Sequence, residues 1–138
     1  MGVGPNYVLN KGHVATGSTA YKFGELVTSS GDGTKCARAT VAASKLRGVC
    51  QEDIDAGKVT TGKAVIDIAL LGIVRVLAGA PINVEDRLTN DSTARAVPVA
   101  SSVGLKESFG VALTAATAAG QFVDVLITPY ATVNTSVS

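Results

Sequence analysis

The chain has no tryptophan, one methionine, one histidine, three tyrosines and three phenylalanines in 138 residues. A core without large rings has to be assembled from Val, Ile, Leu and Ala, and the stacking platforms that single-stranded nucleic acids need are missing. An excess of one charge is missing too: 12 Lys and Arg stand against 11 Asp and Glu, without a basic block. Phosphate neutralisation needs clustered cations, so nucleic acid is not an expected partner. Cysteine is scarce: Cys36 and Cys50 are too few for a disulfide framework and lack a C-x-x-C spacing. They read as small buried hydrophobes of a reducing compartment. Charged residues make up 17% and hydrophobic ones 46%, so part of the surface is expected to be covered by a partner.

A secretory leader is not expected, because M-G-V-G-P-N-Y-V-L-N has neither a basic start nor an apolar centre. Gly2 does not open a myristoylation motif, since Asn6 stands where Ser or Thr is required. The most apolar run, from Ala64 to Ile82, carries Asp67 and Arg75, which cost about 2.5 to 3.5 kcal/mol each near a bilayer centre. It predicts two paired buried strands, and no membrane is expected.

Reactive groups are equally thin. His13 is the only histidine, with no ligand cluster around it in the sequence, and no metal or cofactor is expected. Glu52, Asp53 and Asp55 resemble a cation cluster, yet the segment lacks the spacing and closing Glu of a calcium loop; it reads as a solvated helix or turn face. Ser30-Gly31-Asp32-Gly33-Thr34 lacks the Gly-Lys that follows in a phosphate loop and reads as a hairpin turn. Nothing amounts to a catalytic motif, and a non-enzymatic protein is expected; a Cys50-dependent enzyme is the rival.

What is present is an internal repeat. Val14-x-x-Gly17 leads to Leu26, and Val76-x-x-Gly79 leads to Leu88; from each Leu the chain runs to a Gly-Val pair, Gly48-Val49 and Gly110-Val111, at a constant offset of 62. Ala37-Arg38-Ala39 answers Ala94-Arg95-Ala96, Ala56-Gly57 answers Ala119-Gly120, and Ile66-Asp67-Ile68 answers Val123-Asp124-Val125. Asp32-Gly33 and Asn90-Asp91 are turn formers, the first by positive φ at glycine and the second by Asx hydrogen bonds. Arg38 and Arg95, inside Ala-Arg-Ala, read as outward charges on half-exposed strands.

Short strands at this density, with Gly or Pro between them, predict an all-β fold: a small barrel or sandwich of β-tulip or β-clip kind, with an internal pseudo-repeat and one or two short helices. The helix candidates are Thr40 to Leu46 and Gln51 to Ala56. The expected organisation is an extended N-terminal arm at 1–12, a single β domain at 13–130 built from halves at about 14–70 and 76–128, and a C-terminal tail at 131–138.

In the second half the chain resembles the tailed-phage family of small capsid decoration, or cement, proteins. The family segment "A-G, x-P-I-x-x-G-D-x-L-T, x-D-x-x-G-R-A-x-P" is matched at Ala78, Gly79, Pro81, Ile82, Asp86, Leu88, Thr89, Arg95, Ala96 and Pro98. The following "G-x-A-L-x-x-A-x-A-G-x-x-V-x-V" is matched at Gly110, Ala112, Leu113, Ala115, Ala119, Gly120, Val123 and Val125. Glu85 and Ala94 stand where the family commonly has Gly, which makes the two turns less glycine-dependent. The residues that carry the resemblance are turn and strand residues: Gly79, Pro81, Asp86, Leu88, Asn90, Asp91, Arg95, Gly110 and Gly120.

The resemblance implies a virion protein, assembled in the host cytoplasm, that forms a homotrimer on the outer capsid surface. It would bind the major capsid protein and hold the shell against internal DNA pressure. The arm, with Val3, Pro5, Tyr7, Val8 and Leu9, is the expected capsid contact, since such a segment can add a strand to a neighbour's sheet. The alternative is a surface β-sandwich that recognises glycans or a receptor, for which Tyr7, Tyr21 and Tyr130 are too scattered to form a stacking site.

Overall fold

The structure is a computed structural model that describes residues 8–30, 32–40, 46–99 and 105–134. It is all-β. The first half contains β1 (Leu9–Ala15), β2 (Leu26–Ser30), β3 (Lys35–Arg38), β4 (Leu46–Cys50), a single helical turn α1 (Ala56–Val59) and β5 (Val65–Leu71). The second contains β6 (Ile73–Leu77), β7 (Arg87–Asn90), β8 (Ala96–Pro98), β9 (Leu105–Ala112) and β10 (Phe122–Asn134). The apolar run from Ala64 to Ile82 is accordingly two strands, broken at Gly72, whose φ of 108° only glycine adopts readily. Asp67 and Arg75 are both exposed. Among the described residues no helix is long and apolar enough to cross a membrane.

The strands β1-β3-β2-β4-β5 close into a barrel, and β6-β10-β9-β7-β8 form a second sheet. The two orders are one circuit. β1 joins β3 in parallel through Val14↔Lys35 and Ala15↔Cys36, and a parallel bridge Ala78↔Ala96 joins the end of β6 to β8. The second sheet is thus a nearly closed copy of the first.

Cross-strand registers fix the correspondence residue by residue. Leu26↔Val49 and Val27↔Gly48 in the barrel match Arg87↔Val111 and Leu88↔Gly110. Cys50↔Ile68 matches Ala112↔Val125. Gly48 and Gly110 are therefore equivalent, as are Ile66-Asp67-Ile68 and Val123-Asp124-Val125. Leu88, however, answers Val27 and not Leu26, one residue from the sequence alignment, because both residues of Leu26-Val27 are buried and apolar.

The glycines of the two Gly-Val pairs, Gly48 and Gly110, are forced by a close approach. A Cβ on Gly48 would collide with the Ala69 carbonyl, and one on Gly110 would lie 2.6 Å from the Leu126 oxygen. Ala69 and Leu126 are themselves equivalent positions on β5 and β10.

The turns repeat as well. Cys50 receives the Gly24 amide (2.9 Å) on its carbonyl as Ala112 receives that of Glu85 (2.8 Å), so Glu85 occupies the place of Gly24. Both are left-handed, with φ of 87° at Gly24 and 75° at Glu85; Ala94 is left-handed too, at 64°. The expectation that these turns had become less glycine-dependent is corrected: the backbone keeps the glycine conformation, and Glu85 and Ala94 carry its strain. Asp32 and Asp91 each close an Asx turn, accepting the amide and the hydroxyl of Thr34 or Thr93 at 2.6 to 3.1 Å.

One apolar cluster runs through both halves, joining Leu26, Leu46 and Val49 to Val76, Leu88, Phe109 and Val125; a second fills the barrel around Tyr21, Val27, Cys36, Cys50, Ile66 and Ile68. The halves therefore share a core. Gln51 to Ala56 is not helical: the helix starts only at Ala56, capped by Asp55, whose side chain accepts the Lys58 amide. Most of the other helix candidate, residues 41–45, lies outside the described residues, and Leu46 begins β4. β1 takes in Leu9 to Gly12 of the expected arm, paired with β5, and β10 runs to Asn134 in the expected tail.

Candidate functional site

The groups that could have carried chemistry are used structurally. Cys50 is fully buried and its thiol donates to the Glu52 carbonyl at 3.0 Å. Burial pushes the thiols up, to about 12 at Cys50 and about 11 at Cys36. A nucleophilic cysteine needs the opposite shift, toward the thiolate at neutral pH. His13 is buried, its Nδ1 3.0 Å from the Lys11 carbonyl and its Nε2 accepting from Arg47 Nε at 3.3 Å. In the acidic segment, Glu52 accepts the Asp67 amide, Asp53 that of Phe23, and Asp55 caps α1. Among the described residues no group of His, Cys, Asp and Glu is arranged to hold a metal ion.

Among the described residues, two surfaces bear on binding. The first is the outer face of the second sheet. Along β10, Val123, Val125 and Ile127 point into the core, while Phe122, Asp124 and Leu126 point out. Their partners on β6 are Leu77, Arg75 and Ile73, and Val111 of β9 lies beside Leu126. A solvated face should alternate with polar residues; here two apolar rows flank one ion pair, Arg75 to Asp124 at 3.8 Å. Phe122 is 46% and Leu126 42% exposed, and Phe23 from the first half stacks obliquely on Phe122 at 5.9 Å.

The second surface is a cleft at the seam of the halves, about 470 Å³, lined by Thr19, Ala20, Lys22, Glu25, Arg38, Leu77, Thr93 and Arg95. Glu25 is 4% exposed. It accepts from Arg38 Nε (3.2 Å) and Nη2 (2.7 Å) and from the Lys22 amide (2.9 Å), a charge-assisted fork that makes its burial tolerable. The Glu25 carboxylate in turn holds the Arg38 guanidinium more firmly protonated than usual. Arg38 Nη2 also reaches the Thr93 carbonyl of the other half at 3.3 Å. Arg95 donates from Nε to the Thr93 hydroxyl at 2.7 Å and lies 3.4 Å from Asp91.

The two arginines are not the outward strand charges expected of them. Arg38 pairs with Val27 at the end of β3, where the second half has Pro98 paired with Leu88. Arg95 precedes β8 and is folded onto the Asp91 turn. They are not equivalent in the repeat, yet they meet in one cleft.

Of the other residues singled out in the sequence, Leu88 is buried core, and Asn90 donates across the seam to the Ala39 carbonyl at 2.8 Å. Asp86 accepts the Asn83 amide, and Gly79 leaves room for the Asp91 carboxylate. Pro81 is exposed, and Gly120 lies in an exposed turn at φ 91°. Val3, Pro5 and Tyr7 lie outside the described residues; Val8 packs against the shared core and Leu9 is 54% exposed. Glu25, Lys22, Phe122 and Leu126 were missed. Q-F-V-D-V-L-I-T is apolar on both faces, a visible signal that β10 is covered twice; no sequence pattern marks Glu25 as buried.

No family model matches the chain, and no curated protein matches it. Among solved structures, the crystal structure of the head fiber gp8.5 N base in bacteriophage phi29 is similar, with a TM-score of 0.62 and 23% identity over 88% of this chain and 95% of that one. The likeness is one of fold.

Proposed function

We propose that the chain is a non-enzymatic structural protein of a phage virion, placed on the outer surface of the head, where it binds the major capsid protein as a homotrimer and stabilises the shell. The observation that carries this reading is the match of fold to a phage head fiber base over nearly the whole of both chains. The sequence resemblance to decoration proteins supports it as well, and the buried thiols disfavour the Cys50-dependent enzyme. The outer face of the second sheet supports a docked rather than a freely solvated protein. Affinity would come from several linked copies engaging a repeating lattice together, each with no more than a standard interface of about 1,200 to 2,000 Å².

Co-sedimentation with heads lacking the protein, combined with mass measurement in solution, tests the reading. Trimers that pellet with heads are expected; a monomer that stays in the supernatant overturns it. Removal of residues 2–7 against Phe122→Ser with Leu126→Ser separates the arm from the sheet face. The variant that loses head binding while remaining a folded trimer identifies the contact.

A further inference from the structure

We propose that the seam cleft is a binding site for an oxyanion, a carboxylate or phosphate group on a small ligand such as an acidic sugar. The volume of about 470 Å³ lies within the range of small-molecule sites, roughly 300 to 1,000 Å³. Three cations line it, Lys22, Arg38 and Arg95, against one acid, Glu25. That acid presents no open charge, because its carboxylate is closed by Arg38 and the Lys22 amide.

A guanidinium carries five N–H groups in a planar fork. Arg38 uses Nε and Nη2 on Glu25 and Thr93, so Nη1 has no partner among the described residues. Arg95 uses Nε on Thr93 and lies near Asp91 by the same atom, leaving Nη1 and Nη2 without a hydrogen bond there. Lys22 is exposed and its ammonium has no partner among the described residues. The Nη1–Nη2 edge of Arg95, the remaining Nη1 group of Arg38 and the Lys22 ammonium thus belong to residues that line one concave surface. Planar forks take carboxylate or phosphate oxygens by paired hydrogen bonds.

The rest of the cleft suits a ligand larger than a bare ion. Leu77 and Ala20 add apolar lining and Thr19 polar lining. The guanidiniums are also held in place: Arg38 is bonded to Glu25 of the first half and Thr93 of the second, and Arg95 to its own turn, so little side-chain freedom is lost on binding.

Titration of the isolated protein by two-dimensional amide NMR, with inorganic phosphate, glucuronate and neutral glucose as probes, tests the site and requires no head. Saturable shifts confined to residues 19–25, 38 and 93–95 are expected with at least one anion and not with glucose. Glucuronate alone would assign a carboxylate sugar, phosphate alone a phosphate group. Lys22→Ala and Arg95→Ala should each weaken binding at least fivefold, and Lys58→Ala on α1 should leave it unchanged. Lys22 holds no structural bond by its side chain, so that variant keeps its fold even if Arg95→Ala does not. No saturable shift, shifts spread over remote lysines, or an affinity unmoved by Lys22→Ala would overturn the proposal.

Discussion

Replacing Gly110 with alanine tests the frame on which both surfaces are built. An added Cβ would lie 2.6 Å from the Leu126 oxygen and 2.6 Å from Val125 Cγ1. Carbon makes its ordinary contacts at about 3.5 to 4.0 Å, so β9 and β10 would have to part locally by nearly 1 Å. Strands held about 4.8 Å apart by their ladder cannot do this without stretching hydrogen bonds. Overpacking of this kind costs typically 1 to 3 kcal/mol, and backbone on one side of the clash argues for the upper end. At about 2.1 cal/mol/K of unfolding entropy per residue, 138 residues convert about 3 kcal/mol into a fall in Tm of roughly 10 °C. Gly48→Ala, the equivalent change in the barrel, should behave alike. Gly57→Ala is the control: it is in α1, has an ordinary φ, and its Cβ would rest 3.5 Å from Asp55 Oδ1. Removing a helical glycine gains about 0.5 to 1 kcal/mol, or a few degrees. Thermal and urea unfolding followed by circular dichroism give the three values. A Gly110→Ala midpoint within a degree or two of wild type would refute the claim that a backbone approach dictates the repeated Gly-Val.

Three further outcomes follow from particular contacts. Glu85→Gly should raise stability by about 0.5 to 1 kcal/mol in the same unfolding assays, because relief of a left-handed residue (about 1 to 2 kcal/mol) exceeds the entropic cost of glycine; a loss of stability would contradict the strain. Arg38→Ala leaves a buried Glu25 carboxylate with only the Lys22 amide and should cost about 2 to 5 kcal/mol, whereas Arg38→Met with Glu25→Gln should recover much of it. At high pH the buried acids work against the fold. Cys36 and Cys50 rise from 9.0 to about 11 and 12, and Tyr21 from 10.0 to about 12, so the unfolded chain releases these protons first. Stability is full below about pH 9 and falls as the pH climbs toward the folded values, by up to about 1.4 kcal/mol per pH unit for each group. Urea midpoints measured from pH 8 to 11 should decline accordingly, and a flat profile would refute the burial of these groups.

The fold was legible where one residue type had one physical reason. Gly48-Val49 and Gly110-Val111 stood out because a backbone carbonyl excludes every side chain there, and Ile-Asp-Ile and Val-Asp-Val because alternation shows which face is buried. Register was less legible. Leu26-Val27 is apolar at both positions, so the eye pairs Leu with Leu where the ladder pairs Val27 with Leu88. Ala-Arg-Ala misled for a related reason: small residues on either side of a charge look like a strand edge, although Ala94 is in a left-handed turn and Arg95 bends back to Asp91. The seam cleft was hidden altogether, since it depends on residues from two halves whose spatial relation no local pattern encodes.

The difference between the halves explains why a cleft lies at the seam at all. From Asp32 to Cys36 the first Asx turn takes four steps, and from Asp91 to Ala96 the second takes five; Cys36 and Ala96 are equivalent, since each accepts the corresponding amide, Thr16 or Gly79, at 3.0 and 2.8 Å. The extra residue forces Ala94 to positive φ and turns its carbonyl toward the barrel, where it accepts the Leu26 amide at 2.8 Å. The neighbouring Thr93 carbonyl is brought to Arg38, and Arg95 is carried to the same side. The repeat thus yields two similar circuits of strands over a shared core, and the turn that is one residue longer in the second brings Thr93 and Arg95 to Arg38 at their seam. Deleting Ala94, which keeps Thr93 two residues from Asp91 as Thr34 is from Asp32, would restore the spacing of the first half; it should abolish the hydrogen bond to the Leu26 amide, seen as faster amide exchange at Leu26, while the strands around it keep their protection.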